Sequence, residues 1–425
     1  MKYAFPVKNK FYAREVTELD FDPQGYDKEL YVELNTLRAD DYLGKIKYNL
    51  NIDVQNDELS TSTETYNKII FSGHRGCGKT TELRKFHEYA DNSKRYSSIF
   101  IEFEKETNIA DFQPEDLYVL LISSLIKKIK GSGIDVKSSY LEKILQEWMT
   151  NEEIVKELKD TYDITVGSEA GGGTNFFGFL KLSANFKSIF SKSSEIAKII
   201  RRKIKKNPMN LIDKFNEAVS DVRNALKKNN KSRDILFVLD GTEKMPYEIY
   251  DKIFIKEPHL LRAINANMIF SVPINSYFDI CRTPIADFFH TEILPMIPVT
   301  SNSSELLQKI VSNRIDYETF FETGVLTYLV GKSGGCPRQL LRLVNLALTF
   351  SAGEKITIDV GEKACLKAGR ELYDLLDSEH LHILQSQKFD SADGKVLDLL
   401  FRLVVFKYNG NRKVNPLIKD LLKSK

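Results

Sequence analysis

The sequence predicts an α/β protein built on a parallel β-sheet, and three observations support this fold class. Short apolar runs typical of buried strands cover residues 68–73, 97–104, 234–240, 267–273 and 292–299. Segments with helical periodicity lie between or beside them, at 42–50, 81–90, 115–130, 139–160, 192–206 and 209–228. Strands that alternate with helices indicate a parallel sheet with helices on both faces. After residue 300 the pattern is mostly helical, so a separate helical part is expected there.

Length and composition set the broad class. A chain of 425 residues is too long for one ordinary core, so two or three domains are expected. Hydrophobic residues make up 42% and charged residues 28%, which is usual for a folded domain, and the net charge of +2 neither indicates nor excludes a polyanionic partner. The four cysteines have no metal-ligand spacing and indicate free thiols in a reducing cytoplasm: Cys77, Cys281, Cys336 and Cys365.

Neither a signal peptide nor a membrane span is expected. The N-terminus lacks the apolar core of a signal peptide. The longest apolar stretch, residues 117–126, is broken by two serines and falls short of the roughly 20 residues that a membrane helix needs. We therefore expect a soluble, cytoplasmic protein.

A glycine-rich loop follows the first strand of the sheet. Residues 73–80 read GHRGCGKT and match the phosphate-binding P-loop spacing G-x-x-x-x-G-K-[ST] at every fixed position, with a strand before and a helix after. Glycines let the backbone approach phosphate oxygens, and successive N–H groups and the helix N-terminus then face the anion. Lys79 reaches the β and γ phosphates, and the Thr80 hydroxyl is a hard ligand for Mg²⁺. The predicted nucleotide-binding loop comprises Gly73, His74, Arg75, Gly76, Cys77, Gly78, Lys79, Thr80 and Thr81.

An acidic residue at the end of a second strand completes the expected site. Asp240 closes the run ILFVLD and is predicted to hold Mg²⁺ together with Thr80. Hydrolysis further requires a group that orients or activates water. The position after Asp240, where many such ATPases carry an acid, is Gly241, so Glu243 is the candidate catalytic residue; an exposed loop glutamate is the alternative. Lys79, Asp240 and Glu243 form the predicted catalytic set, with ATP or another NTP and Mg²⁺ as cofactors.

Several segments together resemble bacterial AAA+-type ATPases of the STAND class, which act in signal transduction. The resemblance is carried by FSGHRGCGKTTEL (71–83), FVLDGTEKMP (237–246), MIFSVPI (268–274), ILPMIPV (293–299) and KSGGCPRQLLRLV (332–344). The second motif usually reads D-G-x-D or D-D-x-D in that class, and here it is D-G-T-E. The resemblance implies a P-loop NTPase core, a helical lid, and a closing strand pair and helix of winged-helix type at 403–422.

The resemblance also implies roles for residues outside the two main motifs. Arg38, in the segment that enters the ATPase module, touches nucleotide. Ser271, at a strand end, senses the γ-phosphate, although a core serine is nearly as good a reading. Arg338 opens a lid helix and contacts the phosphates, with Arg342 as a substitute and a surface arginine as the alternative. In an oligomer, Arg282 is a candidate arginine finger from a neighbouring copy.

We expect four parts along the chain. An N-terminal segment (1–60) enters the module, and the P-loop core (61–300) carries an insertion at about 160–230 that separates Asp240 from the P-loop. A helical lid (301–355) and a winged-helix-like domain (356–425) follow. Residues 166–186, rich in Gly, Ser and Phe, are predicted to form a loop or hairpin.

A basic stretch leaves the question of nucleic acid open. Between 187 and 206 the chain has eight Lys or Arg against one acid, Glu195, with isoleucines at helical spacing. A basic amphipathic helix contacts nucleic acid or an anionic membrane surface, or it packs its apolar stripe on the domain and leaves its charges in solvent.

Three functions are consistent with these features. The first is a nucleotide-dependent switch that hydrolyses ATP slowly and oligomerises or engages a separate effector protein, in signalling or antiviral defence. The second is a DNA-binding AAA+ ATPase of the initiator or transposition-regulator kind. The third is an interaction module that binds nucleotide without turning it over.

Overall fold

The N-terminal part of the chain consists of short helices and a small ribbon. The computed structural model describes residues 2–21, 27–38, 40–60, 65–134, 136, 138–149, 152–162, 186–190, 194–278, 285–389 and 393–422. Its first elements are α1 (Lys10–Thr17), α2 (Asp27–Leu30), α3 (Tyr42–Asn49) and an antiparallel pair, β1 (Ile52–Asp53) and β2 (Glu58–Leu59). The Asn9 side chain accepts hydrogen bonds from the first N–H groups of α1, which fixes where that helix begins.

The first half of the sheet is separated from the second by a long helical segment. Strand β3 (Lys68–Gly73) leads through the glycine-rich loop into α4 (Lys79–Ala90), and β4 (Tyr96–Glu102) follows. Within the described residues, the helices between β4 and the next strand of the sheet are α5 (Phe103–Glu106), α6 (Pro114–Ser132), α7 (Ser139–Met149), α8 (Glu152–Tyr162), α9 (Phe186–Ile189), α10 (Glu195–Lys206) and α11 (Pro208–Lys228). The segment predicted as one helix at 139–160 is thus two helices, and the predicted loop at 166–186 lies almost wholly outside the described residues.

The second half of the sheet follows this helical segment. Its elements are β5 (Asp234–Asp240), α12 (Tyr247–Asp251), α13 (Pro258–Arg262), β6 (Asn267–Pro273), α14 (Ile274–Tyr277) and β7 (His290–Leu294). The strand predicted at 292–299 therefore ends at Leu294, because the two prolines that follow, Pro295 and Pro298, lack the N–H that a ladder needs.

The five strands form one parallel sheet in the order β4-β5-β6-β3-β7. β3 lies between β6 and β7, and β5 and β6 bring their carboxyl ends to the same edge as the loop after β3. Every residue of β3 and β5 is buried, as expected for strands covered by helices on both faces. Binding sites of parallel sheets lie at this edge. The predicted α/β fold class, with a parallel sheet of P-loop type at its centre, is confirmed.

The remaining elements make up the lid and the C-terminal end. They are α15 (Ser301–Ser312), α16 (Tyr317–Phe320), α17 (Val325–Ser333), α18 (Pro337–Phe350), α19 (Ile358–Tyr373), α20 (Ser378–Ser386), α21 (Gly394–Phe401), the antiparallel pair β8 (Val405–Lys407) and β9 (Arg412–Val414), and α22 (Pro416–Lys419). Asn345 of α18 donates to Arg14 O (2.8 Å) and to the Thr17 hydroxyl (3.1 Å), so α1 docks on the lid.

Three apolar cores hold these layers together. One packs α6–α13 against one face of the sheet, and a second packs α3 and α4 against the other face. The third joins α1 with helices α15–α22, so residues from the predicted lid and from the predicted winged-helix part share a single core. Within the described residues, no helix combines the length and apolar character needed to cross a bilayer.

Candidate functional site

Two glycines shape the loop after β3. Gly76 and Gly78 have φ angles of 81° and 106°, in the left-handed region that side chains disfavour. Gly78 is the N-cap of α4, and Lys79 is the first residue of that helix. The turn therefore directs the N-terminal N–H groups of α4, and the positive end of its dipole, at one point. This is the geometry that holds a phosphate group.

Lys79, Thr80 and Asp240 meet at the carboxyl edge of the sheet. The Lys79 ammonium donates to Gly73 O (3.0 Å) and His74 O (3.2 Å) and is 94% buried. The Thr80 hydroxyl donates to a carboxylate oxygen of Asp240 at 3.1 Å. A hydroxyl beside a carboxylate is the oxygen pair that holds Mg²⁺ when phosphate oxygens supply further ligands. The residues that sequence analysis assigned to Mg²⁺ therefore fit the ion.

Glu243 lies beside the Lys79 ammonium and is held by Ser271. One of its carboxylate oxygens is 3.8 Å from the Lys79 nitrogen, and the other accepts a hydrogen bond of 2.5 Å from the Ser271 hydroxyl. The same hydroxyl oxygen accepts from Gly241 N (2.8 Å) and Thr242 N (3.2 Å). Ser271 thus fixes the turn that carries Glu243, and Glu243 is not the solvated loop residue of the alternative interpretation.

The two acids have different protonation behaviour. Burial, with the nearby Glu243 charge, raises the pKa of Asp240 to about 6, although Thr80 and Lys79 oppose the shift. Burial also acts to raise the pKa of Glu243, but the Lys79 charge and the Ser271 hydrogen bond outweigh it and lower that pKa below its ordinary value. Glu243 is therefore ionised at neutral pH, as a group that accepts a proton from water must be.

Arg38 supports the loop from the side of the N-terminal segment. Its guanidinium is buried and donates to Cys77 O at 2.8 Å and to Pro295 O. It also lines the cavity in front of the loop. The described bonds of Arg38 therefore fix the loop backbone, and its direct contact with a nucleotide stays a prediction.

The lid reaches the loop through Arg338. Its backbone N–H donates to Gly76 O at 3.3 Å, and a Cβ on Gly76 would lie 2.3 Å from that of Arg338, so only glycine fits. Burial and the charge of Arg75 lower the pKa of Arg338. Two guanidinium groups that repel each other beside a P-loop favour an anion between them. Arg342 forms an ion pair with Glu371 instead, so Arg338 is the better-placed lid arginine.

His74 connects the loop to the C-terminal end of the chain. Its imidazole is fully buried, donates from Nδ1 to Leu400 O (3.1 Å) and accepts at Nε2 from Lys407 N (2.7 Å). Met296 N also donates to Lys407 O at 2.9 Å, so β8 is anchored beside the loop. Cys77, Cys336 and Cys365 are buried free thiols, and Cys281 lies outside the described residues.

The buried His74 should make stability depend on pH. Burial, with the Lys79 charge, lowers its pKa to about 3, whereas the unfolded chain titrates near 6.5. Between these values only the unfolded state binds the proton, so stability falls as pH falls through this window. For each pH unit between pH 6 and pH 4, we expect the natural chain to lose about 1.4 kcal/mol more of its unfolding free energy than the His74→Gln variant loses. Denaturant titrations at pH 7, 6, 5 and 4 measure this, and equal slopes contradict it.

One cavity of about 750 Å³ brings these groups together. Its wall includes the following predicted site residues: Arg38, Gly73, Arg75, Gly76, Gly78, Lys79, Thr80, Thr81, Glu243 and Arg338. The other predicted site residues of the described chain are not part of this wall but contact residues that are, through the bonds described above: His74, Cys77, Asp240 and Ser271.

Sequence analysis missed the apolar side of the cavity. The N-terminal segment contributes Val16, Leu19, Phe21, Leu30, Val32 and Leu34, and α14 and the predicted lid contribute Ile274, Ile310 and Leu341. The sequence analysis predicted no helix at 10–17, and nothing local in the sequence indicates that the N-terminal segment meets the P-loop. Arg282 lies outside the described residues.

The basic stretch is largely engaged in internal contacts. Arg201 pairs with the buried Asp116 at 2.7 Å, and Lys198 pairs with Glu195 at 2.5 Å. Lys187 donates to Glu104 O (3.0 Å) and Lys203 to Glu147 O (2.5 Å). Lys192 lies outside the described residues. The isoleucines of α10 are buried, and five of its cations are exposed. Besides the paired Lys198 and Lys203, these are three that lie on one side of the helix: Arg202, Lys205 and Lys206.

Comparisons with known proteins add little beyond this geometry. No known protein family matches the sequence, and no curated protein matches it. Among solved structures, the chain is similar to the Orc1 protein of Aeropyrum pernix in complex with DNA, at 12% identity and a TM-score of 0.38 over 97% of this chain and 86% of that one. It is also similar to Cdc6p from Pyrobaculum aerophilum, at 13% identity and a TM-score of 0.38 over 96% and 97%. Likenesses at this level assign neither activity nor partner, and the fold follows from the strand order and the loop.

Proposed function

We propose that the chain is an ATP-binding and ATP-hydrolysing switch. One observation carries the proposal: a single cavity is lined by the P-loop, by the acid Glu243 and by the lid residue Arg338. A site built only to hold a structural ligand needs no ionised carboxylate beside the phosphate-binding lysine. A site built to report on the phosphate needs such a group, and it also needs a contact to a part of the protein that moves.

Binding and hydrolysis divide among the residues by their chemistry. The loop N–H groups and Lys79 hold the phosphates, while Thr80 and Asp240 hold Mg²⁺, which neutralises phosphate charge. Glu243 orients a water and accepts its proton, and Ser271 keeps that carboxylate in position. Arg75, within the loop, and Arg338, next to Gly76, contribute further positive charge.

The lid would transmit the nucleotide state to the rest of the chain. The backbone N–H of Arg338 bonds to the loop, and Arg338 also lines the cavity in front of the loop. His74 joins the same loop to β8. A change in phosphate number therefore alters two contacts that hold the helical parts against the core. We propose that the outcome is oligomerisation or engagement of a separate effector, in the manner of STAND-type proteins of bacterial signalling or defence.

Phosphate release and oligomeric state together test this proposal. The full chain with ATP and Mg²⁺ should release phosphate slowly, and its mass in solution should differ between ADP and a non-hydrolysable ATP analogue. ATP turnover without any change in mass in solution or in partner binding would mean that the chain is an ATPase but not a switch. Binding without turnover would leave the non-catalytic module.

DNA binding is the second candidate function, and the exposed face of α10 favours it. Arg202, Lys205 and Lys206 lie three and four residues apart, so they project from one side of the helix. Each phosphate contact adds about −0.9 to the slope of log affinity against log salt, so these three cations give a slope of at most about −3.

A salt series with matched variants tests the DNA interface. Replacing Arg202, Lys205 and Lys206 by alanine should weaken binding of duplex DNA at low salt and flatten the salt dependence. The control replaces Lys309, Lys355 and Lys363, which are exposed elsewhere and change the charge equally. No binding by the natural chain at low salt, or equal loss in both triple variants, contradicts the α10 interface.

A further inference from the structure

Arg314 is a half-buried cation at the edge of the cavity that no function assigned so far uses. It follows α15, and its backbone is held on both sides: its N–H donates to Val311 O and its carbonyl accepts from Val7 N, both at 2.9 Å. Its Nη1 donates to Ile310 O at 2.8 Å. Its Nε is buried and has no hydrogen-bond partner. The side chain is therefore positioned, and one of its donors is left unused.

The charge of Arg314 is also uncompensated. Within the described part of the chain, no carboxylate forms an ion pair with it, and burial lowers its pKa to about 10. Arg223 and Arg201, by contrast, are neutralised: Arg223 bonds to Asp234 at 2.6 Å and Arg201 to Asp116 at 2.7 Å. Arg38 also has a buried Nε without a partner, but its other two nitrogens bond to Pro295 O and Cys77 O. Buried donors and buried charges are costly unless they are paired. The Arg314 guanidinium, which lines the cavity and has no carboxylate partner among the described residues, therefore offers a charged donor to a molecule that enters the cavity.

The surroundings of Arg314 indicate the chemistry of that molecule. Arg314 lines the same cavity as the P-loop, and the wall of that cavity also includes apolar side chains such as Leu34, Ile274 and Ile310. Phosphate oxygens are strongly hydrated, and the proposed site provides Lys79, Arg75 and Arg338 to bind them. An apolar wall beside a charged donor suits a flat, apolar ring that carries hydrogen-bond acceptors.

We propose that Arg314 reads the base of the bound nucleotide by donating a hydrogen bond from its guanidinium to an acceptor on the ring. This inference rests on the proposed nucleotide binding. It makes Arg314 a specificity-determining residue, and it makes the N-terminal segment the wall against which the base packs. The contact contributes to affinity for nucleosides but not for a bare chain of phosphates.

Binding by Arg314→Met tests the inference, with ATP, GTP, CTP, UTP and inorganic tripolyphosphate as probes in the presence of Mg²⁺. A hydrogen bond to a charged donor is strong enough for a loss of about 10- to 100-fold in affinity for the preferred nucleotide. Tripolyphosphate should bind the variant and the natural chain equally. The differences in affinity among the four nucleotides should also become smaller, because the variant no longer donates a hydrogen bond to the base.

Two controls separate the possible failures. Arg370→Met removes an exposed arginine of α19 and should change nothing. Arg314→Lys keeps a donor and should restore part of the discrimination, which also covers the case that the methionine variant does not fold. Equal weakening of tripolyphosphate would make Arg314 a phosphate ligand, and equal loss for all four nucleotides would make it a ribose ligand; both overturn the inference. A natural chain that binds none of the five probes overturns the proposed function itself.

Discussion

Replacing Glu243 by glutamine is expected to lower ATP turnover by about 10²- to 10⁴-fold, the range typical of a lost general base. Glutamine keeps the shape of the side chain and its contact with Ser271, but it cannot accept a proton from water. The ionised state of Glu243 depends on Lys79, whose nitrogen lies 3.8 Å away. Nucleotide affinity should change little, since the phosphates are held by the loop. Single-turnover phosphate release measures the rate, and binding of labelled ATP checks the affinity.

The control for this variant is Glu104→Gln. Glu104 lines the same cavity but pairs with Lys244 on the exposed side. The Glu104→Gln variant should keep most of the ATP turnover of the natural chain. If Glu243→Gln and the natural chain hydrolyse ATP at equal and substantial rates, another group activates the water. If both rates are near zero, the chain binds nucleotide without catalysis.

Replacing Lys79 by alanine is expected to reduce affinity for Mg²⁺-ATP by on the order of 100-fold or more. The ammonium is held in the loop by two carbonyls and is available to two phosphate groups, and each charge-assisted hydrogen bond contributes about 1.5–3 kcal/mol. The variant also removes the charge that keeps Glu243 ionised, so residual turnover should fall further than affinity does.

Fluorescent-nucleotide binding at equilibrium measures the effect of Lys79. Lys244→Ala is the matched control, because Lys244 also lines the cavity but is 43% exposed and pairs with Glu104. Similar affinities for Lys79→Ala and the natural chain would mean that the phosphates do not sit in the P-loop.

Local signals predicted the sheet and the P-loop. The strands, the loop, Asp240 and Glu243 are encoded in runs of a few residues, where periodicity and glycine spacing are informative. The fold confirms the parallel sheet, and it brings Thr80 to Asp240 and Glu243 to Lys79. The roles of these residues remain proposals.

Contacts between residues that are far apart along the chain could not be predicted from the sequence. Nothing near His74 indicates that it bonds to Leu400 and Lys407, more than 300 residues away. The pairing of Arg342 with Glu371 likewise had to be seen before Arg338 could be preferred. The insertion was expected at about 160–230, but helices occupy the chain between β4 and β5 from Phe103 onward. Periodicity identifies a helix and its apolar face, whereas which surface covers that face depends on the whole fold.

Calorimetric titration of the full chain with a non-hydrolysable ATP analogue and Mg²⁺ tests the central claim most directly. The account predicts saturable binding at one site per chain, competed by ADP and by tripolyphosphate. Absence of saturable binding, or binding that Lys79→Ala retains in full, would contradict a nucleotide site between the P-loop and Arg338.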